Sequence, residues 1–131
     1  MPPSEPPLAQ LDRLLKQGDA VGALRVADQM LAQSKRTFGA WLGRAVALMQ
    51  LGQIAEADAA VAEALKLSPG DAQAKLIQAM LDQRLGRIER AIAALMPIAD
   101  SKSPQAVEAG VALSEVLWIA HRRDALAAFI A

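Results

Sequence analysis

No cysteine and no tyrosine occur in this chain of 131 residues, histidine occurs once, and tryptophan and phenylalanine occur twice each. Without cysteine there is no disulfide, no thiol nucleophile and no Cys-ligated zinc or iron–sulfur site. With His121 as the single imidazole, a Ser or Lys nucleophile has almost no base to work with, so no enzyme activity is expected. An excess of one charge is missing too. Lys+Arg number 14 and Asp+Glu 14, without a basic block, which argues against a nucleic-acid partner held by phosphate neutralisation. Few aromatics also leave little surface for stacking bases. No apolar run approaches the ~18 residues that a membrane span needs. The start, Met1-Pro2-Pro3-Ser4-Glu5-Pro6-Pro7, lacks the basic and apolar regions of a signal peptide, so the expected location is the cytoplasm. No GxGxxG, P-loop or HExxH motif is present, and neither cofactor nor metal is expected.

What the chain has is alanine, 29 of them in a composition that is 53% hydrophobic. Alanine loses no side-chain entropy in a helix, so the surplus predicts helices. Glycines stand at Gly18, Gly52 and Gly86, each 34 residues after the last, and the next interval ends on Ala120 beside His121. Five residues beyond these marks stand Ala23, Ala57, Ala91 and Ala125. Self-similarity at that period is the signature of a helical repeat array.

Between the marks the apolar spacing is helical: Trp41, Ala45, Leu48 and Leu51, then Ile54, Ala57, Val61, Ala64 and Leu65. Each repeat therefore reads as two helices joined at the glycine, with Gly52 as a left-handed C-cap. The expected pairs are 5–17/20–33, 37–51/54–67, 71–85/88–101 and 104–119/122–131, giving an all-α chain of about 7–8 helices. Leu67-Ser68-Pro69-Gly70-Asp71 separates two repeats, and Ser103-Pro104 reads as an N-cap followed by a proline in the first turn. Pro97 removes a backbone donor and crowds the carbonyl of Ala93, predicting a kink or early end. The domain expectation is a Pro-rich tail over 1–7 and one domain over 8–131, with approximate repeats 8–36, 37–70, 71–103 and an incomplete 104–131.

These residues resemble the tetratricopeptide (TPR) repeat, whose pattern is W-x2-L-G-x2-Y, A-x3-F and P. The second repeat carries it best, with Trp41, Ala45, Leu48, Ala57-x3-Val61, Ala64 and Pro69; Arg44, Ala45 and Val61 replace the leucine, glycine and aromatic. The third keeps Ala79, Gly86, Ala91 and Leu95 but has Lys75 and Asp82 for the tryptophan and tyrosine, and its proline arrives one residue late at Pro104. The first keeps Leu11, Leu14, Gly18 and Ala23, with Lys35 for the final proline; the last offers Leu113, Val116 and Ala125-x3-Phe129. The resemblance covers about residues 5–131, or three to three and a half repeats. It implies a right-handed α-solenoid of antiparallel helix pairs. Small residues at Ala45, Ala57, Ala79, Ala91 and Ala125 would let the helices nest, and Trp41 would fill the gap between repeats.

In such arrays the first helices line a concave groove that takes a peptide or helix. Carried over by position, the groove would draw on Glu5, Leu8 and Asp12, then Gly39, Leu42, Gly43, Val46, Met49 and Gln50, then Gln73, Leu76, Ile77, Met80, Gln83 and Arg84. The peptide-binding set is Leu42, Val46, Met49, Gln50, Leu76, Ile77, Met80 and Arg84. Where chaperone-binding TPR domains carry a cationic clamp for a terminal carboxylate, this chain has Leu8, Asp12, Gly43, Gln73 and Ile77, so the clamp is missing. Methionines adapt to irregular partners, and Gly39 and Gly43 would let a ligand backbone come close. The resemblance thus implies a non-catalytic scaffold for a protein or peptide partner. The same residues could equally be core, or pack against a further part of a parent protein.

His121 falls in His121-Arg122-Arg123-Asp124 at the expected last turn and reads as solvated. Glu56, Asp58, Glu63 and Glu89 read as solubilising charges. The segment Ala106–Ile119 is apolar nearly all round, which predicts burial on several sides, whereas a terminal repeat should have a polar outer face. The expectation is either a missing downstream domain or a homo-oligomer formed through this apolar repeat. Alanine-rich bacterial TPR arrays of similar look precede sulfotransferase and aspartyl/asparaginyl hydroxylase domains. The alternative function is therefore an N-terminal regulatory or oligomerising domain of a larger enzyme.

Overall fold

Among the described residues seven helices follow one another: α1 Pro7–Lys16, α2 Ala20–Gln33, α3 Phe38–Gln50, α4 Ile54–Leu67, α5 Ala72–Arg84, α6 Ile88–Ala99 and α7 Ala106–Ile130. The computed structural model describes the backbone of residues 5–130 and the side chains of residues 5–128. Among the described residues there is no strand, so the all-α helix-pair architecture expected from the glycine period holds. The expected tail lies, up to Ser4, outside the described residues. Pro6 caps α1 and Pro7 occupies its first turn, where a missing N–H costs nothing.

Three turns share one geometry. Gly18, Gly52 and Gly86 have φ of 78°, 79° and 80°, the left-handed conformation that carries no Cβ penalty at glycine. Gly18 N–H donates to the Leu15 carbonyl at 3.2 Å and Asp19 N–H to that of Leu14 at 2.9 Å. The same pair of bonds recurs as Gly52 to Met49 with Gln53 to Leu48, and as Gly86 to Gln83 with Arg87 to Asp82. This crossed pattern satisfies two otherwise orphaned helix carbonyls at each turn. Asp19 then caps α2, accepting from Gly22 N–H at 2.9 Å, and Asp71 serves α5 likewise, accepting from Ala74 N–H at 2.9 Å.

The chain divides into two compact units, Met1–Ala74 and Lys75–Ala131. In the first, α1 packs on α2 and α3, α2 on α3, and α3 on α4. Leu11, Ala20, Ala23, Val26, Ala27 and Ala47 form one buried cluster, flanked by Leu14, Leu15, Leu24 and Met30. Ala40, Ala45, Leu48, Ala57, Val61 and Ala64 are fully enclosed. Trp41 is half-buried, not core, and its Nε1–H donates to the Lys35 carbonyl at 2.8 Å. In the second unit, Leu76, Ala79, Ile88, Ala91, Leu95, Ile98, Ala109, Ala112 and Val116 form the core. Asp82, at the tyrosine position of the family pattern, is a buried carboxylate that accepts from Arg87 Nη1 at 3.2 Å, with Arg90 at 3.8 Å.

Four expectations need correction in the last repeat. The turn expected between 119 and 122 does not exist, because α7 runs unbroken for 25 residues. The three observed turns each rest on a positive-φ glycine, whereas this mark holds Ala120, a residue that favours helix and resists the left-handed conformation. His121 is consequently an exposed mid-helix residue. Ala125 is exposed and nests no helix, since the partner helix it would face is its own continuation. The helix is buried on one side only: Val107 is 80% exposed and Trp118 59%. The side chain of Phe129, expected to pair with Ala125, lies outside the described residues.

Two smaller differences flank that helix. It begins two residues after the proposed Ser103-Pro104 start, following a turn in which Ala106 N–H donates to the Ser103 carbonyl at 3.1 Å. The helix α6 runs through Pro97 and ends at Ala99, so it does not stop at the proline, and it falls short of the expected 101. Arg123 Nη2 donates to Glu89 Oε1 at 2.8 Å, tying α7 to α6. That hydrogen bond, with the attraction of the guanidinium, holds the Glu89 carboxyl below the usual carboxylate range.

Candidate functional site

The candidate site lies in the first unit. There α1 presents Leu8, Leu11 and Leu15 at spacings of three and four, and α3 presents Gly39, Leu42, Gly43 and Val46 in the same rhythm. Such spacing keeps each set on one helix face. With Asp12 and Gln73 they line a concave pocket of about 140 Å³. Its wall is aliphatic, and the one carboxylate on its rim, Asp12, is paired with Lys16 Nζ at 3.0 Å.

Glycine shapes this pocket in a way the sequence reading missed. A Cβ on Gly39 would lie 2.6 Å from Leu8 Cδ1, and one on Gly43 would lie closer still to Leu11 Cδ2. The space over these glycines is therefore filled by α1's own leucines and is not open to a ligand backbone. The glycines bring α1 tightly onto α3.

The predicted groove residues separate. Leu42 and Val46 line the pocket together with Leu8, Asp12, Gly39, Gly43 and Gln73 from the wider set. Met49 is half-buried and Gln50 exposed, both outside the pocket lining. Leu76 and Ile77 are buried, at 2% and 5% exposure, and Leu76 packs in the second unit's core. These two are corrected from groove floor to buried residues, because their face of α5 is taken up within the fold. Met80 is half-buried against the same core, and Arg84 is exposed at the end of α5. Leu11 and Leu15 are lining residues that position matching overlooked, although their spacing with Leu8 was a legible signal.

Of the positions aligned with a cationic carboxylate clamp, Leu8, Asp12, Gly43 and Gln73 all line this pocket, and none is positively charged. A larger, shallower cleft of about 560 Å³ lies between α2 and α4, lined by Asp28, Leu31, Trp41, Arg44, Glu56, Ala59, Ala60 and Glu63. Arg44 is engaged there by Asp28, and Glu63 is held by Lys66 at 2.9 Å. Among the described residues, no three His, Cys, Asp or Glu side chains converge as a metal site, and no helix is long and apolar enough to cross a membrane.

Comparison with known proteins agrees with this architecture. A sequence-family model described as tetratricopeptide repeat matches residues 14–81, more than half of the chain. Comparison with curated proteins gives no match. Among solved structures, the type III secretion translocator chaperone SycD of Yersinia enterocolitica superposes with a TM-score of 0.76 at 12% identity, over 88% of this chain and 83% of that one. A thermophilic TPR protein of Thermus thermophilus superposes with a TM-score of 0.74 at 22% identity, over 90% of this chain and 66% of that one.

Proposed function

The chain belongs to the tetratricopeptide repeat family, and from that premise we propose that it is a non-catalytic interaction module binding an apolar peptide or helix on its α1–α3 face. The observation that carries this reading is the pocket itself, aliphatic along both helices and without a cation at the positions where a clamp would stand. An acidic C-terminal tail would lose its hydration there with nothing to replace it. An aliphatic side chain would gain by leaving water. Adjacent Met49 offers a side chain that can repack around an irregular ligand.

The test is a methyl-NMR titration of the protein with two probes, a Leu/Ala-rich amphipathic helical peptide and an acidic peptide with a free C-terminal carboxylate. The helical peptide is expected to shift the methyls of Leu8, Leu42 and Val46, and Leu42→Glu with Val46→Glu to abolish the shift at Leu8, whose methyls both forms retain. Binding of the acidic peptide alone, or shifts confined elsewhere, would refute the proposal. A second reading, a regulatory or oligomerising domain of a larger enzyme such as a sulfotransferase or an aspartyl/asparaginyl hydroxylase, draws on the exposed outer face of α7.

A further inference from the structure

We propose that α7 is a self-association helix, and that a second copy of this chain covers its outer face in an antiparallel, two-fold arrangement. This surface shares no residue with the α1–α3 pocket, so the two proposals stand or fall independently.

The helix outgrows its support. At 25 residues and about 1.5 Å per residue it is roughly 37 Å long, whereas α6 has 12 residues. Among its described side chains the buried ones, Ala109, Ala112 and Val116, all lie in the first half. From Leu117 to Ala128 no residue is buried. A helical segment of that length is marginal in water on its own.

The uncovered face is organised. Val107, Val111, Ser114, Trp118, His121 and Ala125 recur at alternating spacings of four and three, and they lie opposite the core-facing Ala109, Ala112 and Val116. That rhythm is the seam of a helix pair. Val107, Val111 and Trp118 are all more than half exposed. The small Ser114 and Ala125 leave room beside Trp118 for another helix to approach.

The charges select the occupant. Glu115 and Arg122 lie seven residues apart on one edge of this seam, and Arg122 stands over the Trp118 ring at 5.4 Å from its centroid. When two such helices run antiparallel about a two-fold axis beside Trp118, Glu115 of each copy meets Arg122 of the other. The pairing is satisfied twice by symmetry, as a self-complementary interface requires. A parallel two-fold pairing would put the Glu115/Arg122 edges of the two copies on opposite sides of the seam, where they could not meet. The chain's net charge of zero adds no long-range repulsion between copies.

The experiment is sedimentation equilibrium of the full chain over a wide concentration range, with circular dichroism to follow folding. The wild type is expected to show a monomer–dimer equilibrium, and Trp118→Glu to remain monomeric with unchanged helicity, because that side chain is exposed. Glu115→Arg and Arg122→Glu should each weaken the dimer by roughly tenfold, since two edge pairs become repulsive, and the double variant should recover most of the loss. A wild type that stays monomeric, a dimer indifferent to Trp118→Glu, or a double variant no better than the single ones would each overturn the proposal.

Discussion

Leu11 lies directly over Gly43, filling the volume that a Cβ on that glycine would need. Leu11 is also 1% exposed and part of the first unit's core, so moving it disturbs buried packing. Gly43→Ala is therefore expected to destabilise the fold by about 1–3 kcal/mol through overpacking. At Gly39 the opposing residue is Leu8, which is 53% exposed and can swing into solvent. There the gain in helix propensity offsets the displacement, and Gly39→Ala should change stability by less than about 1 kcal/mol. Urea unfolding of the two variants checks the contrast; equal losses would contradict this account of how α1 meets α3.

Nothing crowds the Cβ position of Gly52, yet its φ of 79° belongs to the left-handed region. Gly52→Ala should therefore cost roughly 1–2 kcal/mol from backbone strain alone. Because no side chain is displaced, the loss should appear without change in the pocket methyl spectrum. A variant as stable as the wild type in thermal melts would mean that the turn has relaxed.

Glu89 should titrate below an ordinary glutamate, because Arg123 donates to it and attracts its charge. A carboxyl whose folded pKa is lowered contributes stability above its unfolded pKa and loses it as pH falls through the folded one. Carbon-detected NMR of the Glu89 carboxyl should show the depressed midpoint, and Arg123→Gln should raise it, leaving only the lowering from its backbone hydrogen bond. Both groups are solvated, so the effect on the melting temperature should be small. An unshifted midpoint in the wild type would mean that the Arg123 contact is not kept in solution.

Much of the fold was legible because its controlling features are local. A glycine at Gly18, Gly52 and Gly86 reports a backbone conformation directly, and alanines spaced from it report which helix face must lie close to another. The same logic explains the miss at the last mark. The period pointed to a turn at Ala120, but a turn needs a residue that tolerates positive φ, and alanine and the arginines that follow favour continuing the helix. Residue chemistry outweighed the repeat register.

The candidate site was legible only in part. Position matching named Leu42 and Val46, which line the pocket, yet it could not tell an apolar side chain facing open space from one facing the core, as Leu76 and Ile77 show. Nor could it foresee that Leu8 and Leu11 would occupy the space above Gly39 and Gly43.

The sequence by itself determined that this chain is a run of paired helices with glycine turns and alanine contacts, because propensity, periodicity and φ preference act within a few residues of the chain. Only the tertiary structure decided which apolar residues are spent in the core, which line the α1–α3 pocket, and which are left uncovered along α7. Burial depends on what lies across from a side chain, and that neighbour comes from another helix.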